Sequence, residues 1–243
     1  MCQVKTTQDS TVMAYSYAYP QAALTVDTVV LTVARRQLQV LLIERGIEPF
    51  DSNWAIPGGF VQVEHEDLHA AASRELQQET GLGRDDVYLE QLFTFGAVDR
   101  DPRGRVVSVA YYALVSADLL PKVRGGDDAR EARWFNVAQA QALPLAFDHN
   151  TILTTALMRL RGKIDYDPRI AVGLVPDEFT QAELRRVFEA VQGKALDRGN
   201  FSKRFVRLRS DELIIDAQGF RDLPGSGRPP RLYRFSPNAL DAR

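Results

Sequence analysis

The chain has 243 residues, of which 45% are hydrophobic and 26% are charged. This composition is typical of a globular protein that buries a core, and it excludes a disordered or low-complexity chain. The length exceeds that of a common single domain, so two domains are expected. A single cysteine, Cys2, excludes an internal disulfide, and no run of about 20 apolar residues predicts a membrane span. We therefore expect a cytoplasmic protein with no membrane partner.

The formal net charge of -2 conceals two halves of opposite sign. Residues 1–150 carry 13 Lys and Arg against 20 Asp and Glu, a net charge of −7, whereas residues 151–243 carry 17 against 12, a net charge of +5. A basic half next to an acidic half indicates a polyanion partner for the basic half. Chance clustering on a solvated surface explains the charges equally well when they are taken alone.

The sequence of the first half predicts a polar N-terminal arm, followed by strands around one central helix. Residues 67–80 have apolar positions at helical spacing and end at Gly81, which predicts an amphipathic helix with a glycine cap. Runs rich in β-branched and aromatic residues predict strands at 24–33, 38–43, 87–95, 106–116 and 133–135. A second helix is predicted over 148–161. This pattern indicates an α/β or α+β domain.

The second half begins at about Gly162 and has a different pattern. Thr180 and Glu183 form a capping box for a helix that ends at Gly193. A second helix is predicted over 196–208, and two strands at 213–216 and 231–235 flank a loop rich in Gly, Pro and Arg. The run at 170–175 fits either a strand or a tight loop. The order helix, turn, helix, hairpin predicts a winged helix-turn-helix.

The segment 58–82 resembles the Nudix box, and residues 54–60 before it also fit that family. Acidic residues three and four apart share one face of a helix, where they can jointly hold divalent cations that bridge a diphosphate. The residues that match the motif in mutual spacing are Glu66, Arg74, Glu75, Leu76, Glu79, Gly81 and Leu82.

Two departures from the Nudix box weaken the expected metal site. Gln78 replaces the first Glu of the Glu-Glu pair, and its neutral amide offers a metal one oxygen and no charge. Six residues instead of five separate Gly59 from Glu66. We therefore assign no catalytic residues and no metal ligands; Mg²⁺ is an optional ion, and no cofactor is required.

The segment 96–112 contains Arg100, Arg103 and Arg105 around an Asp-Pro and a Gly turn. Arginine forks match the oxygens of a diphosphate, although a charged hairpin turn is an equal alternative on the residues alone. The segment is similar to the corresponding part of Nudix proteins that recognise ADP-ribose, and this similarity favours a nucleotide pocket. The expected ligand-binding residues are Arg74, Glu75, Glu79, Arg100, Arg103, Arg105, Ser108 and Tyr111.

Residues 20–236 together resemble the NrtR-type, Nudix-related regulators of NAD metabolism genes. The segments that carry the resemblance in the second half are 147–149, 178–180, the helix ending at Gly193, 198–201 and 231–235. The resemblance implies an α/β/α sandwich Nudix fold followed by a winged helix-turn-helix. The implied domains are an arm at 1–20, a nucleotide-sensing domain at 21–146, a connecting helix at 147–165 and a DNA-binding domain at 166–243.

The same resemblance implies a homodimeric repressor that binds a palindromic double-stranded DNA operator and responds to ADP-ribose or a related nucleotide. Basic and polar residues in the second predicted helix and in the hairpin supply groups for phosphate and base contacts. A solvated helix face is the alternative for them. The expected DNA-binding residues are Arg198, Asn200, Ser202, Lys203, Arg204, Arg207, Arg228 and Arg231.

Three functions remain open on the sequence: a ligand-responsive repressor, an active Nudix hydrolase of ADP-ribose or a related nucleoside diphosphate, and a protein that does both. Gln78 and the longer loop disfavour hydrolysis, whereas Glu75 and Glu79 are retained. His149 is assigned no chemistry, because a lone histidine at a helix start is commonly a cap or a packing residue. His65 and His69 do not predict a zinc site, since His65 falls in the loop before the helix.

Overall fold

The structure is a computed structural model that describes residues 18–83, 87–122, 129–221 and 229–240. The strands are β1 (Ala23–Ala34), β2 (Gln37–Arg45), β3 (Trp54–Ala55), β4 (Gly58–Phe60), β5 (Val87–Phe95), β6 (Val106–Val115), β7 (Ala129–Asn136), β8 (Ile214–Phe220) and β9 (Arg231–Phe235). The α-helices are α1 (Leu68–Thr80), α2 (Val137–Ala142), α3 (His149–Tyr166), α4 (Gln181–Gln192), α5 (Arg198–Ser210) and α6 (Pro237–Leu240). None of the helices in these ranges combines the length and apolar character that crossing a membrane requires.

The first half is a mixed seven-stranded sheet built around β1, with the order β3-β2-β1-β6-β5. β1 pairs antiparallel with β2 and parallel with β6, while β4 pairs with β1 and β7 with β2. Residues 25–32 of β1 are all buried, as expected for a central strand covered on both faces. The helix α1 packs on one face through Leu76, and α3 packs on the other through Leu153. The predicted sandwich fold is therefore confirmed.

The helix α1 begins and ends where its local sequence predicts. The carboxylate of Asp67 accepts a hydrogen bond from the amide of Ala70 at 2.8 Å, which caps the first turn. Gly81 closes the helix in the left-handed region at φ 76°. These caps fix the helix that carries the Nudix-box residues against the sheet.

The helix α3 is longer than predicted. It continues past Gly162 to Tyr166, whereas the sequence predicted an end at 161. A glycine inside a helix costs about 1 kcal/mol relative to alanine. Ile164 is fully buried in the main core, and its burial outweighs that cost. The resulting 18 residues span about 27 Å at 1.5 Å per residue.

A 3₁₀ helix at Pro168–Leu174 joins α3 to the second half. The run at 170–175 is therefore neither a strand nor a tight loop, the two alternatives that the sequence left open. Gly173 lies directly against the sheet: a Cβ there would be 2.8 Å from the Cβ of Leu114 and 2.9 Å from its carbonyl oxygen. Only glycine allows this approach. The second half is therefore packed against the first, and their buried residues form one continuous core.

The second half is a winged helix-turn-helix, as predicted. The capping box of Thr180 and Glu183 begins α4, and Asp197 caps α5 by accepting from the amide of Asn200. The helix α5 thus begins two residues later than expected. Phe188 of α4 packs edge-on against Phe201 of α5, with ring centroids 5.5 Å apart. The strands β8 and β9 form the antiparallel wing.

Candidate nucleotide pocket and nucleic-acid interface

A pocket opens where β1, β2, the β3–β4 segment, α1 and the start of α3 meet. Its floor is buried and polar, one wall is acidic, and its mouth is lined by arginine and phenylalanine. The lining residues are Thr25, Asp27, Ile43, Arg45, Ile47, Ile56, Gly58, Gly59, Phe60, Glu75, Glu79, Arg100, Asp101, Arg103, Phe147 and His149.

The acidic wall comes from Glu75 and Glu79 of α1, one turn apart. Glu79 accepts a hydrogen bond from the amide of Gly58 at 2.7 Å, which holds β4 against the helix. A Cβ at Gly59 would lie 2.4 Å from a carboxylate oxygen of Glu75, so the Glu75 side chain lies directly against this glycine. Both carboxylates thus border the pocket, and Glu79 also holds the segment that leads into the Nudix box.

Arg74 forms hydrogen bonds with three other residues of the Nudix box. This side chain forms a bidentate pair with Glu66, at 2.6 and 2.8 Å, and bonds Glu75 at 2.6 Å. It also donates to the Gln78 amide oxygen at 3.0 Å. The hydrogen bond from Arg74 lowers the pKa of Glu66, and the same bond raises the pKa of Arg74. Arg74 thus binds Glu66, Glu75 and Gln78 together.

This arrangement does not fit the divalent cation that a Nudix box implies. A cation such as Mg²⁺ needs several convergent oxygen ligands. Glu66 is bound to Arg74, and residue 78 is a neutral amide. Within the described ranges, no three His, Cys, Asp or Glu side chains are placed to hold a metal ion.

Two arginines lie against the ring of Phe147 at the mouth of the pocket. The guanidinium carbons of Arg45 and Arg103 lie 4.9 and 5.5 Å from the centre of its ring. Burial lowers the pKa of Arg45, and the positive charge of Arg103 lowers it further. The positive charges of Arg45 and Arg103 thus lie close enough to repel each other at the mouth of the pocket, and together they attract an anion.

Aromatic side chains frame the same mouth. Phe50 and Phe147 stack edge to face, with centroids 4.8 Å apart, and both have a positive φ, 66° and 53°. For a bulky residue this conformation is strained and recurs at ligand sites. The guanidinium carbon of Arg103 lies 5.1 Å from the centre of the Phe60 ring, and Phe60 is 47% exposed. Its ring is therefore available to a flat ligand.

The floor of the pocket is a buried network around Asp27. Its carboxylate accepts from Ser108 and from Arg100, the latter at 3.4 Å. Arg100 also forms a bidentate pair with Asp148, at 2.7 and 3.0 Å. Asp148 is the residue before the first turn of α3, so the floor of the pocket is directly bonded to that helix.

His149, the first residue of α3, belongs to this floor. Its Nδ1 accepts from the amide of Ile56 at 2.9 Å, and its Nε2 lies 3.6 Å from the Asp27 carboxylate. This pattern places the ring proton on Nε2. Burial lowers the pKa of His149, so the ring is neutral at physiological pH. Its role is to fix β3–β4 and α3 in one arrangement.

The outer face of α5 is basic and exposed. Arg198, Asn200, Lys203 and Arg207 are all exposed there. An adjoining groove is lined by Arg185 and Arg186 of α4, by Arg198 and by Arg231 of the wing. Arg231 forms an exposed ion pair with Asp216 at 3.3 Å. Helix, groove and wing thus present one positively charged surface, which suits a phosphate backbone.

Comparison with known proteins places this arrangement in a family. Residues 23–156 match the NUDIX domain, and residues 171–235 match the NrtR DNA-binding winged helix domain. The chain is 36% identical over 219 residues to the ADPR responsive transcriptional repressor NtrR of Acinetobacter baylyi, covering 90% of this chain and 84% of that protein. The chain belongs to the NrtR-type family of Nudix-related transcriptional regulators.

Two solved NrtR structures from Shewanella oneidensis also resemble it. NrtR complexed with a 27mer DNA superposes with a TM-score of 0.77 at 34% identity, covering 90% of this chain and 95% of that chain. The NUDIX domain of NrtR complexed with ADP ribose superposes with a TM-score of 0.51 at 32% identity, covering 59% and 91%. The full-length match includes both the pocket and the winged helix.

Within this NrtR-type fold, the predicted ligand residues separate into two groups. Glu75, Glu79, Arg100 and Arg103 line the pocket. The other four lie outside that lining: Arg74 binds Glu66, Arg105 donates to the carbonyls of Gly96 and Ala97, Ser108 donates to Asp27, and Tyr111 is buried beside Ala71 and Ala72. We leave these four out of the proposed ligand site.

Pocket residues that sequence reasoning missed are Asp27, Arg45, Phe60, Phe147 and His149. They come from four separate parts of the chain, and only the fold brings them together. The segment 147–149 carried part of the NrtR resemblance, but its residues had no assigned role. A positive φ at Phe147 leaves no mark in the sequence.

Two predicted DNA-binding residues of the winged helix are placed differently from the expectation. Arg204 was expected on the outer face, but it turns toward α3, donating to the carbonyls of Ile164 and Asp165 at 2.7 and 2.9 Å. Its guanidinium carbon also lies 4.4 Å from the Phe188 ring centre. Ser202 accepts from Gln181 at 3.0 Å. Arg228 lies outside the described residues.

Proposed function

We propose that this protein is a transcriptional repressor whose affinity for operator DNA changes when ADP-ribose occupies the Nudix pocket. The observation that carries the proposal is the position of α3. Its N-terminus forms part of the pocket floor, and its C-terminal end contacts both helices of the winged helix. The relatives named as ADPR responsive, or solved with DNA or ADP ribose, support the same function.

In the pocket, we place the diphosphate between Arg45 and Arg103, whose guanidinium groups converge on Phe147. Charge-assisted bonds from arginine forks to phosphate are among the strongest that a side chain makes. The adenine ring stacks on the exposed ring of Phe60. Arg103 is paired with Asp101 at 2.7 Å, so the nucleotide competes with a carboxylate for this arginine.

The response to the nucleotide travels along α3. At its start, Arg100 bonds Asp148, and His149 bonds the amide of Ile56. At its other end, Arg161 donates to the Val191 carbonyl of α4 at 3.2 Å, and Arg204 of α5 donates to the Ile164 carbonyl at 2.7 Å. A ligand that moves the start of this helix therefore also moves the winged helix.

We further propose that two copies of the chain act together on a palindromic operator in the cytoplasm. Each chain presents one recognition helix, and a twofold pair reads two half-sites one helical turn of DNA, or a multiple of it, apart. A change in the direction of α3 alters the spacing of the two recognition helices. The regulated genes are proposed to be those of NAD metabolism, as the family resemblance implies.

Hydrolysis of ADP-ribose is the second candidate function. Glu75 and Glu79 of the Nudix box line the pocket, which favours it. Arg74 on Glu66 and the neutral amide of Gln78 oppose it. A protein that both hydrolyses ADP-ribose and binds DNA combines the two.

One preparation tests these functions. Fluorescence anisotropy measures binding of the full chain to the DNA upstream of its own gene, with and without ADP-ribose. A parallel assay with Mg²⁺ follows ADP-ribose hydrolysis. We expect specific DNA binding that ADP-ribose changes, without rapid turnover. Rapid hydrolysis with no specific DNA binding would instead establish the enzyme.

A further inference from the structure

The recognition helix α5 exposes one apolar side chain, Val206. It is 59% exposed, and the other exposed residues of this helix are glycine, polar or basic. A β-branched residue is not a favoured choice for a helix surface. Inside the chain this side chain buries little, so it does not serve the core. It lies on the exposed basic face of α5, where a partner of that face would contact it.

The neighbours of Val206 determine what that partner is. Gly199, Lys203, Val206 and Ser210 follow one another at spacings of four, three and four residues, so they share one face of α5. The buried residues Phe201, Phe205 and Leu208 lie on the opposite face. Val206 therefore lies on the outermost line of the helix.

This line is shaped for close approach to a polyanion. Gly199 has no side chain and Ser210 has a short one, so neither keeps a partner away from Val206. Lys203 and Arg207 are exposed close to the valine and can reach phosphates while it points into the groove. The apolar group that the major groove of DNA presents is the 5-methyl group of thymine.

We propose that Val206 contacts the 5-methyl group of one thymine in each operator half-site and so helps to determine which sequence is bound. This inference rests on the proposed function, since it requires α5 to enter the major groove. Removing either partner of one methyl contact is expected to weaken binding about three- to fivefold, the free energy of burying one methyl-sized group.

The experiment begins with selection of bound duplexes from a random double-stranded DNA library by the full-length protein. In the selected duplex, each thymine is then replaced singly by deoxyuridine, which removes only the 5-methyl group. Fluorescence anisotropy gives the Kd of every duplex for the wild type and for Val206→Ala. Alanine favours the helix, so this variant folds. Val98→Ala, at a valine that is 78% exposed in the Nudix half, is the matched control.

We expect one thymine position at which deoxyuridine weakens the wild type and Val98→Ala three- to fivefold but leaves Val206→Ala unchanged. If the wild type and Val206→Ala respond alike to every deoxyuridine, or if the selected half-site holds no thymine, the inference is wrong and the proposed function stands. If no specific duplex is selected, the proposed function is contradicted, and the inference fails with it.

Discussion

At the scale of single residues, Arg103 and Arg105 show how neighbours in one arginine-rich turn take different roles. Arg103 faces the pocket and lies against Phe60 and Phe147. Arg105 donates to the carbonyls of Gly96 and Ala97 at 2.7 and 2.9 Å and lies outside the pocket lining. Two residues of separation along the chain thus divide an arginine that lines the pocket from one that supports the loop.

These positions give a paired prediction for nucleotide binding. Arg103→Ala is expected to raise the Kd for ADP-ribose at least tenfold, because a charged hydrogen bond contributes about 1.5 to 3 kcal/mol. Arg105→Ala is the matched control and is expected to change the Kd less than twofold. Isothermal titration calorimetry on both variants makes the comparison, and equal losses would contradict the proposed position of the diphosphate.

His149 gives a prediction about stability and pH. Burial lowers its pKa below the usual 6.5, so below pH 6.5 the unfolded chain takes up a proton that the folded chain refuses. The free energy of unfolding therefore falls as pH falls, by about 1 kcal/mol between pH 7.5 and 5.5 for this residue. Protonation would also break the bond from Ile56, since Nδ1 accepts there.

The variant His149→Asn isolates this contribution. Asparagine keeps an acceptor for the Ile56 amide but does not titrate. Urea denaturation at pH 7.5 and 5.5 is expected to show a smaller loss of stability in the variant than in the wild type. The comparison uses the difference between the two pH values, so an overall stability change in the variant does not affect it. Equal pH dependence would exclude His149 as the source.

At the scale of elements, local sequence features predicted some boundaries and long-range contacts set others. The helix α1 was predicted because its cap, its apolar spacing and Gly81 all lie within 15 residues. The end of α3 was not, because burial of Ile164 depends on a core built from the whole chain. Arg204 was misplaced for the same reason, since its partners Ile164 and Asp165 lie 40 and 39 residues away.

The candidate site follows the same rule. Glu75, Glu79 and Arg103 could be found from a motif and from an arginine-rich turn, because those features are contiguous. Arg45 comes from the end of a strand and Phe147 from the residues just before α3, and each looks ordinary alone. Their meeting at 4.9 Å depends on the order of strands in the sheet, which the hydrophobic pattern does not specify.

The two faces of α5 give a prediction that separates DNA binding from domain packing. Arg207 is exposed, so Arg207→Ala is expected to weaken DNA binding and to reduce the slope of log K against log salt by about 0.9 for each phosphate that the variant no longer neutralises. Its stability is expected to stay unchanged. Arg204→Ala removes two hydrogen bonds to carbonyls and the packing on Phe188, and is expected to lower the free energy of unfolding by about 1 to 3 kcal/mol.

Salt-dependent anisotropy and urea denaturation on both variants check this separation. The two measurements are independent. The salt slope of anisotropy reports the counterions that DNA binding releases, whereas urea denaturation reports the free energy of unfolding, to which the contacts between α3 and α5 contribute. A salt slope that falls in Arg204→Ala while its stability is unchanged would return Arg204 to the DNA interface, where the sequence placed it.

At the scale of the whole molecule, α3 joins two sites that would otherwise be separate. One helix of about 27 Å starts at the pocket floor and ends on α4 and α5. If the two sites are coupled, thermodynamic linkage requires two factors to be equal: the factor by which ADP-ribose changes the affinity for DNA, and the factor by which DNA changes the affinity for ADP-ribose. Couplings of this kind are typically about 5- to 150-fold.

Asp148 is the residue at which this coupling is best interrupted. It lies outside the pocket lining, yet the bidentate bond from Arg100 ties the start of α3 to the floor through it. Asp148→Asn keeps the shape of the side chain and weakens this bond, because the amide loses the charge and one acceptor oxygen. We expect the variant to bind ADP-ribose and DNA separately with affinities within about threefold of the wild type.

The coupling factor itself is expected to fall toward one in Asp148→Asn. Titration of ADP-ribose into the free protein and into its DNA complex measures this factor, and the reverse titration checks that the two factors agree. Asp99→Asn is the matched control, since this aspartate is exposed and lies outside both the pocket lining and α3. If Asp148→Asn retained the full factor while both affinities held, the bond from Arg100 to Asp148 would not transmit the response, and the tie between His149 and the Ile56 amide would have to carry it.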